Sequence, residues 1–168
     1  MLPITLNPGM VRIGVAGAGD GLARRLALLS GTGVDAVHLA TDSSDAALHC
    51  LSILFIAGID RVTASDLAKR ARAGGVLVNV EDIPELCDFH VPAIVRRGGL
   101  ILTVSTGGRA PGLAKRLREW LQNRFGPEWD EHLETLGHAR ADWRADGVPP
   151  DQVSQRTREF IDRKGWLS

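Results

Sequence analysis

The sequence predicts an α/β fold in which a parallel sheet is followed by a short β-hairpin and a group of helices. Short apolar runs alternate with helical segments through the first half of the 168-residue chain, and residues 51–57 are apolar almost throughout. Such a run is typical of a strand buried on both faces of a parallel sheet. The second half is rich in the helix formers Ala, Leu and Arg, which predicts the helical part.

Composition excludes several classes of partner. Lys plus Arg equals Asp plus Glu at 20 each, so no overall field draws the protein towards nucleic acid or a membrane surface. We therefore expect neither as a partner. Cys50 and Cys87 lack metal-ligand spacing, and we see no signal peptide or membrane-length apolar run, so we expect a reduced, cytoplasmic protein without a bound metal.

The first half alternates strand and helix, which favours a doubly wound sheet. A helix is expected over residues 22–29 because Leu22, Leu26 and Leu29 form an apolar stripe. The remaining expected elements are strands over residues 11–16, 34–40, 51–57 and 76–80, a short helix ending near Cys50, and a helix over residues 65–73.

The second half opens with two apolar runs, residues 89–95 and 100–104. The four residues between them are too few for a helical crossover, so the runs should pair as an antiparallel hairpin with Arg96 and Arg97 at its tip. A helix from Pro111 follows, with an apolar stripe of Leu113, Leu117, Trp120 and Leu121. Further helices are expected over residues 128–143 and from 151 to just before 165.

The turn Gly17-Ala18-Gly19-Asp20-Gly21 lies between a strand and a helix, which is the context of a dinucleotide fingerprint. This favours a nucleotide site over a plain tight turn, although Leu22 stands where a third Gly or Ala is usual and Gly21 comes one residue early. Asp42 follows the second strand at a distance suited to a ribose hydroxyl. A helix cap is at least as good an interpretation of Asp42.

Asp82 follows the fourth strand at the carboxyl edge of the sheet, where α/β proteins place their chemistry. A carboxylate there can exchange a proton with a substrate, and a turn-forming Asp before Pro84 is an equal alternative. Glu81 is interpreted as a solvated neighbour. His90 lies in an apolar run, where a structural role is the commoner one, and its nearness to Asp82 leaves a proton-transfer role open.

Ser105-Thr106-Gly107-Gly108-Arg109 places two hydroxyl groups, flexible backbone and a guanidinium at the start of a helix. This combination suits a carboxylate or phosphate. An ordinary helix cap made by Ser or Thr is the alternative, and it is slightly favoured when the turn is considered alone.

Taken together, these motifs resemble a known family. The string VNVEDIPELCDFHVPAIV, the hairpin and then STGGRAPGLAKRLRE are closely similar to the precorrin-2 dehydrogenase/sirohydrochlorin ferrochelatase family, the module found in siroheme synthases. The opening MLPI and the turn GAGDGLARRLALL also fit this family. The similarity covers nearly the whole chain and is most specific from Val78 to Glu119.

The resemblance implies a Rossmann-like NAD-binding domain over residues 1–86, a hairpin dimerisation segment over 87–111 and a helical domain over 112–168. It implies a homodimer that oxidises precorrin-2 to sirohydrochlorin with NAD, and many members also insert ferrous iron. Asp82 matches the family's catalytic aspartate. The residues expected at the tetrapyrrole site, whose ligand carries eight carboxylates, are Ser105, Thr106, Gly107, Gly108, Arg109 and His90.

The chain departs from the family in two places. The segment from Asp42 to Cys50 replaces a longer connection that usually includes an extra strand, and Leu22 interrupts the fingerprint. Both departures bear on the affinity for NAD more than on the tetrapyrrole site. Two alternatives therefore stay open: an enzyme that retains only metal insertion, and a non-catalytic protein that binds a tetrapyrrole or nucleotide. The pathway served is siroheme or cobalamin synthesis.

Overall fold

A computed structural model describes residues 1–167, and the chain forms two compact units that meet in sequence between His90 and Val91. The boundaries expected at residues 86 and 111 stay a prediction, because this division concerns compactness alone. The first unit contains β1 (Ile13–Gly17), α1 (Gly19–Leu29), β2 (Val37–Leu39), α2 (Asp45–His49), β3 (Ile53–Ala57), α3 (Arg61–Ala73) and β4 (Leu77–Val80).

The first unit is built on a four-stranded parallel sheet with the order β2-β1-β3-β4. The path from β2 to β3 therefore crosses back over β1. Because parallel crossovers are right-handed, helices before and after this reversal lie on opposite faces of the sheet. The order in which the strands are added thus reverses between β1 and β3, the place where such sheets open a crevice at the carboxyl ends of their strands. The predicted parallel α/β fold is confirmed.

Side-chain alternation along β3 explains which helix covers which face. Leu54 and Ile56 are fully buried in the core formed with Leu67 of α3. Phe55 lies between them in sequence and so points to the other face. There the guanidinium of Arg25, from α1, lies 5.7 Å from the centre of its ring. Both faces of β3 are therefore covered, as its continuous apolar run predicted.

Capping residues set the helix starts that the apolar pattern alone misplaced. We expected a helix over residues 65–73, but α3 begins four residues earlier because the Asp60 carboxylate accepts hydrogen bonds from the amides of Val62 and Thr63. Ser44 caps α2 in the same way through the amide of Ala47. The second strand is shorter than the expected 34–40, since only residues 37–39 pair with β1.

The second unit consists of a hairpin and three helices. Its elements are β5 (Ala93–Arg97), β6 (Leu100–Val104), α4 (Pro111–Arg124), α5 (Trp129–Ala145) and α6 (Pro150–Lys164). The strands pair in antiparallel fashion, as predicted. α5 and α6 pack together, and Arg140 donates a 2.8 Å hydrogen bond to Thr157 across them. No helix of residues 1–167 is long and apolar enough to cross a membrane.

Two expectations for the hairpin were wrong. β5 covers residues 93–97 rather than 89–95, and Arg96 and Arg97 belong to the strand, where they pair with Ile101 and Leu100. Gly98 adopts φ 53°, so the turn needs only Gly98 and Gly99. Arg97 donates instead to backbone carbonyls at the end of α4, those of Phe125 (2.7 Å) and Gln122 (3.0 Å).

The apolar stripe of α4 is largely uncovered. Leu113, Leu117 and Trp120 are exposed by 54%, 40% and 60%, and Ile101 of β6 is also exposed. Residues spaced by four and three lie on one face of a helix. The second unit therefore presents a contiguous apolar helix face to its surroundings.

Candidate functional site

The glycine-rich turn after β1 fits closely against the end of β3. A Cβ atom on Gly17 would lie 1.8 Å from the carbonyl oxygen of Ala57, and one on Gly58 would lie 2.0 Å from that of Ala18. Both glycines also have positive φ, at 147° and 67°. Only glycine satisfies these two conditions together. The ends of β1 and β3 are consequently locked to each other by backbone contact.

The outer side of the same turn is open. Gly19 adopts φ 57°, and a Cβ placed on it would meet no atom within 4 Å. α1 begins at this residue, and its N-cap Ala18 offers no side-chain hydrogen bond. The first amides of a helix lack partners within the helix, and they favour an anion when no side chain caps them. The turn therefore has the shape and polarity that a pyrophosphate requires.

Gly21 performs the packing role of the third glycine in the usual fingerprint, whose position is occupied here by Leu22. A Cβ on Gly21 would lie 2.6 Å from both the amide nitrogen of Gly58 and Oε2 of Glu81. The close approach between helix and sheet thus occurs one residue earlier than in the usual fingerprint. The departure at Leu22 does not prevent that approach.

Glu81 is not the solvated neighbour that we expected. Its side chain is only 14% exposed and receives two hydrogen bonds of 3.2 Å from Nε and Nη2 of Arg24. Its amide continues the β-ladder to the carbonyl of Ile56, which fixes the direction of the side chain. The carboxylate raises the pKa of the Arg24 guanidinium, first through hydrogen bonding and then through its charge, and Asp20 and Asp82 add smaller effects in the same direction.

Sequence reasoning missed this ion pair because its partners lie 57 residues apart. A signal was nevertheless present. A basic pair follows the glycine turn, and an acid follows β4 directly. Both positions belong to the carboxyl edge of a parallel sheet, where opposite charges from neighbouring strands can meet.

Asp82 immediately follows Glu81 and has φ 58°, which makes it the one non-glycine residue with positive φ in the described part of the chain. Its carboxylate is exposed and accepts no hydrogen bond from residues 1–167. Left-handed backbone is uncommon for residues other than glycine, although Asp and Asn adopt it more readily than the rest, and it is concentrated at functional sites. The carboxylate is therefore free to meet a substrate proton, and its backbone is held in an uncommon conformation.

Asp42 lies in the turn after β2, whose last residue Leu39 pairs with Ala16 of β1. This places Asp42 at the same sheet edge as the glycine turn. The helix-cap interpretation of Asp42 was wrong, since Ser44 caps α2. The Asp42 side chain is exposed and has no hydrogen-bond partner among the described residues, so it is available to a ribose hydroxyl.

His90 lies outside any strand and is exposed. The expectation of an apolar-strand environment was wrong because β5 begins only at Ala93, after Pro92. The described residues contain no group of three or more His, Cys, Asp or Glu that could hold a metal ion. His90 therefore belongs to no such cluster among the described residues.

The second unit carries the hydroxyl-rich turn. Gly107 and Gly108 adopt φ 64° and 76°. The Ser105 hydroxyl accepts a hydrogen bond from the amide of Gly107 (3.3 Å), and the Thr106 hydroxyl accepts one from the amide of Ala110 (3.3 Å). Each hydroxyl keeps its own proton to donate.

Neither hydroxyl residue of this turn is the N-cap of α4. That position is Ala110, which makes no side-chain cap, so the helix-cap interpretation was wrong. The exposed guanidinium of Arg109 stands just before the uncapped helix start. Hydroxyl donors and a cation together suit a carboxylate ligand.

Comparison with known proteins agrees with these features. A family described as putative NAD(P)-binding matches residues 23–93. A siroheme synthase of Methylococcus capsulatus is 32% identical over an alignment that covers 85% of this chain and 34% of that protein. The siroheme biosynthesis protein met8 of Schizosaccharomyces pombe is 34% identical over 104 residues, covering 61% of this chain and 39% of the relative.

A solved structure, that of the precorrin-2 dehydrogenase SirC, superimposes with a TM-score of 0.77. The match covers 100% of this chain and 93% of that one at 21% identity, and so it supports the fold. The chain spans about a third of the length of the siroheme synthase from Methylococcus capsulatus.

Proposed function

We propose that this chain, which belongs to the precorrin-2 dehydrogenase/sirohydrochlorin ferrochelatase family, oxidises precorrin-2 to sirohydrochlorin with NAD as the hydride acceptor. The reaction removes two hydrogens from the macrocycle, one as a hydride and one as a proton. The observation that carries the proposal is Asp82, an unengaged carboxylate held in left-handed backbone at the same sheet edge as the glycine turn. Asp82 accepts the proton.

The residues of the first unit fit a dinucleotide. Gly19 leaves open space at an uncapped helix start, while Gly17 and Gly21 allow the close backbone packing that forms the turn. We assign the pyrophosphate to the turn over residues 17–21 and the ribose hydroxyls to Asp42. When bound there, NAD supplies a hydride acceptor.

The second unit's turn is assigned to the substrate. Precorrin-2 carries eight carboxylates, and Thr106, Ser105 and Arg109 provide donors for such groups. Gly107 and Gly108 let the backbone form this turn at positive φ. His90 is a further proposed contact, for which its exposure is the support.

Metal insertion is a second candidate activity. Inserting ferrous iron into sirohydrochlorin requires loss of pyrrole protons, and the unengaged Asp82 carboxylate can accept these as well. The iron is then a substrate rather than a resident cofactor.

We also propose that the protein is a homodimer formed through the second unit. The support is the uncovered apolar face formed by Leu113, Leu117 and Trp120, with Ile101 exposed on the hairpin. Burial of such side chains against a second copy is favourable.

A cytoplasmic location is proposed because Cys50 and Cys87 are both free thiols.

The proposal is tested by supplying precorrin-2 anaerobically with and without NAD and recording the absorbance spectrum. We expect sirohydrochlorin to appear only with NAD, and Asp82→Ala to slow its formation by about a hundredfold or more. Full activity of that variant would remove Asp82 from the mechanism. Adding ferrous iron to sirohydrochlorin tests metal insertion separately. Binding of NAD or tetrapyrrole without turnover in either assay would support the non-catalytic alternative.

A further inference from the structure

We infer that Cys87 and Asp88 are positioning residues for Asp82. The inference rests on the proposed function, because it takes Asp82 as the catalytic carboxylate. β4 is the edge strand of the sheet, so the backbone groups on its outer side lack a neighbouring strand. The chain after Asp82 folds back and satisfies these groups, and Asp82 thereby lies in a loop tied to β4 at its far end.

Asp88 makes the first tie. Its amide donates to the carbonyl of Val78 (2.8 Å), and its Oδ2 accepts from the amide of Val78 (2.8 Å). Asp88 thus satisfies both the amide and the carbonyl of Val78. Arg72 of α3 fixes this carboxylate through Nε, at 2.9 and 3.0 Å from its two oxygens, and also donates to the carbonyl of Leu86 (2.8 Å).

Cys87 makes the second tie, two residues further along the strand. Its Sγ accepts from the amide of Val80 (3.2 Å) and can donate its proton to the carbonyl of Val80 (3.1 Å) or of Ile83 (3.4 Å). The thiol therefore joins the end of β4 to the residue just after Asp82. Asn79 adds a bond from Nδ2 to the carbonyl of Phe89 (2.9 Å).

These ties enclose the one non-glycine residue at positive φ among those described. Left-handed backbone persists only where surrounding contacts hold it. If the ties are removed, the loop can relax towards commoner backbone angles and carry the Asp82 carboxylate away from its place. The cofactor turn is formed by other residues, so NAD binding should be spared.

The test uses Cys87→Ala, Cys87→Ser and Asp88→Asn in the full-length protein, with Cys50→Ala and Asp66→Asn as matched controls. Cys50 is an exposed free thiol, and Asp66 forms an exposed ion pair within α3. Anaerobic turnover of precorrin-2 gives kcat and the KM for NAD. We expect Cys87→Ala and Asp88→Asn to lower kcat by roughly ten- to a hundredfold, the scale of a displacement of about 1 Å. The KM for NAD should change less than about twofold.

Two further readouts separate positioning from a merely structural role. Cys87→Ser should restore most of kcat, because a hydroxyl also accepts and donates a hydrogen bond. In an Asp82→Ala background, Cys87→Ala should cause no additional loss of residual turnover, since residues that act through one group are non-additive.

Each outcome decides the inference. Wild-type kcat in Cys87→Ala and Asp88→Asn, with kcat strongly reduced in Asp82→Ala, overturns the positioning roles and leaves the proposed function standing. A fully additive effect in the double variant also overturns them. If wild-type protein shows no NAD-dependent turnover, or Asp82→Ala is fully active, the proposed function fails and the inference fails with it. Should Cys87→Ala not fold, Asp88→Asn and Cys87→Ser still give the kcat comparison.

Discussion

Replacing Gly21 by Ala tests whether the close approach of α1 to the sheet builds the cofactor turn. The added Cβ would lie 2.6 Å from the amide nitrogen of Gly58 and from Oε2 of Glu81, and 2.9 Å from Cα of Gly58. Contacts this short require a shift. Gly58 is backbone and cannot rotate away, and Glu81 is held by two hydrogen bonds to Arg24. We therefore expect α1 itself to move outward.

The expected magnitude follows from two opposing effects. Overpacking costs about 1–3 kcal/mol, and replacing Gly by Ala in a helix returns up to about 1 kcal/mol. The free energy of unfolding of the first unit should fall by about 1–2 kcal/mol as the balance of these two effects. Movement of the helix start should also weaken NAD binding by about tenfold, which corresponds to ~1.4 kcal/mol.

Gly137→Ala is the matched control. Gly137 lies inside α5, and a Cβ there would meet no atom within 4 Å. The same substitution should therefore stabilise by about 0.5–1 kcal/mol. All four tryptophans lie at residue 120 or later and the chain has no tyrosine. Tryptophan fluorescence during urea unfolding consequently reports the second unit, while far-ultraviolet circular dichroism reports both.

The reasoning is refuted if Gly21→Ala unfolds at the same urea concentration as wild type, or a higher one, and binds NAD equally well. A loss of stability with unchanged NAD affinity would keep the packing argument but would contradict the assignment of the pyrophosphate to this turn. Destabilisation by Gly137→Ala would show that the space around an added Cβ does not determine the sign of the change in the free energy of unfolding.

Three further predictions concern separate parts of the chain. Asp42→Ala should weaken NAD binding by roughly ten- to a hundredfold in a calorimetric titration, since a hydrogen bond to a charged group is worth about 1.5–3 kcal/mol. Unchanged affinity would exclude Asp42 from the site. Asp60→Ala should destabilise α3. Hydrogen bonds from the Thr63 hydroxyl and amide lower the pKa of Asp60 below 3.8. The stabilisation by Asp60 is therefore full above pH 3.8 and is lost as the pH falls through the folded-state pKa. The melting curves of wild type and Asp60→Ala should accordingly converge in acid. Leu117→Asp should yield monomers in sedimentation equilibrium. Val62→Asp is the control, since Val62 is an exposed apolar residue of the first unit, and it should leave the dimer intact. Dimers in both variants would contradict an interface on α4.

The sequence predicted the elements whose signals are local. β6 matches the expected residues 100–104 because its apolar run directly follows a glycine turn. β5 was misplaced because Phe89 belongs to the same apolar run but packs edge-on against Phe55, 5.5 Å away, within the first unit. A run of apolar residues does not show which core each member joins.

The same distinction applies to the site. The position of Asp82 at the end of β4 follows from the strand pattern. Its positive φ could not be predicted, because the contacts that hold the loop include the Arg72–Asp88 pair, which spans 16 residues, and a thiol that bonds to backbone. Such contacts depend on the assembled sheet and have no signature in local sequence.

The connection between β2 and β3, which the resemblance predicts to be shorter than is usual in the family, bears on only one side of the proposed cofactor site. β1 and β3 are neighbours, and their ends are locked through Gly17 and Gly58, while Glu81 reaches Gly21 from the end of β4. This three-strand assembly does not involve β2, which pairs on the other side of β1. Loss of chain after Asp42 therefore leaves the pyrophosphate turn supported and changes the surroundings of the ribose and adenine. If this chain binds NAD more weakly than its longer relatives, we expect the deficit to arise at the adenosine end.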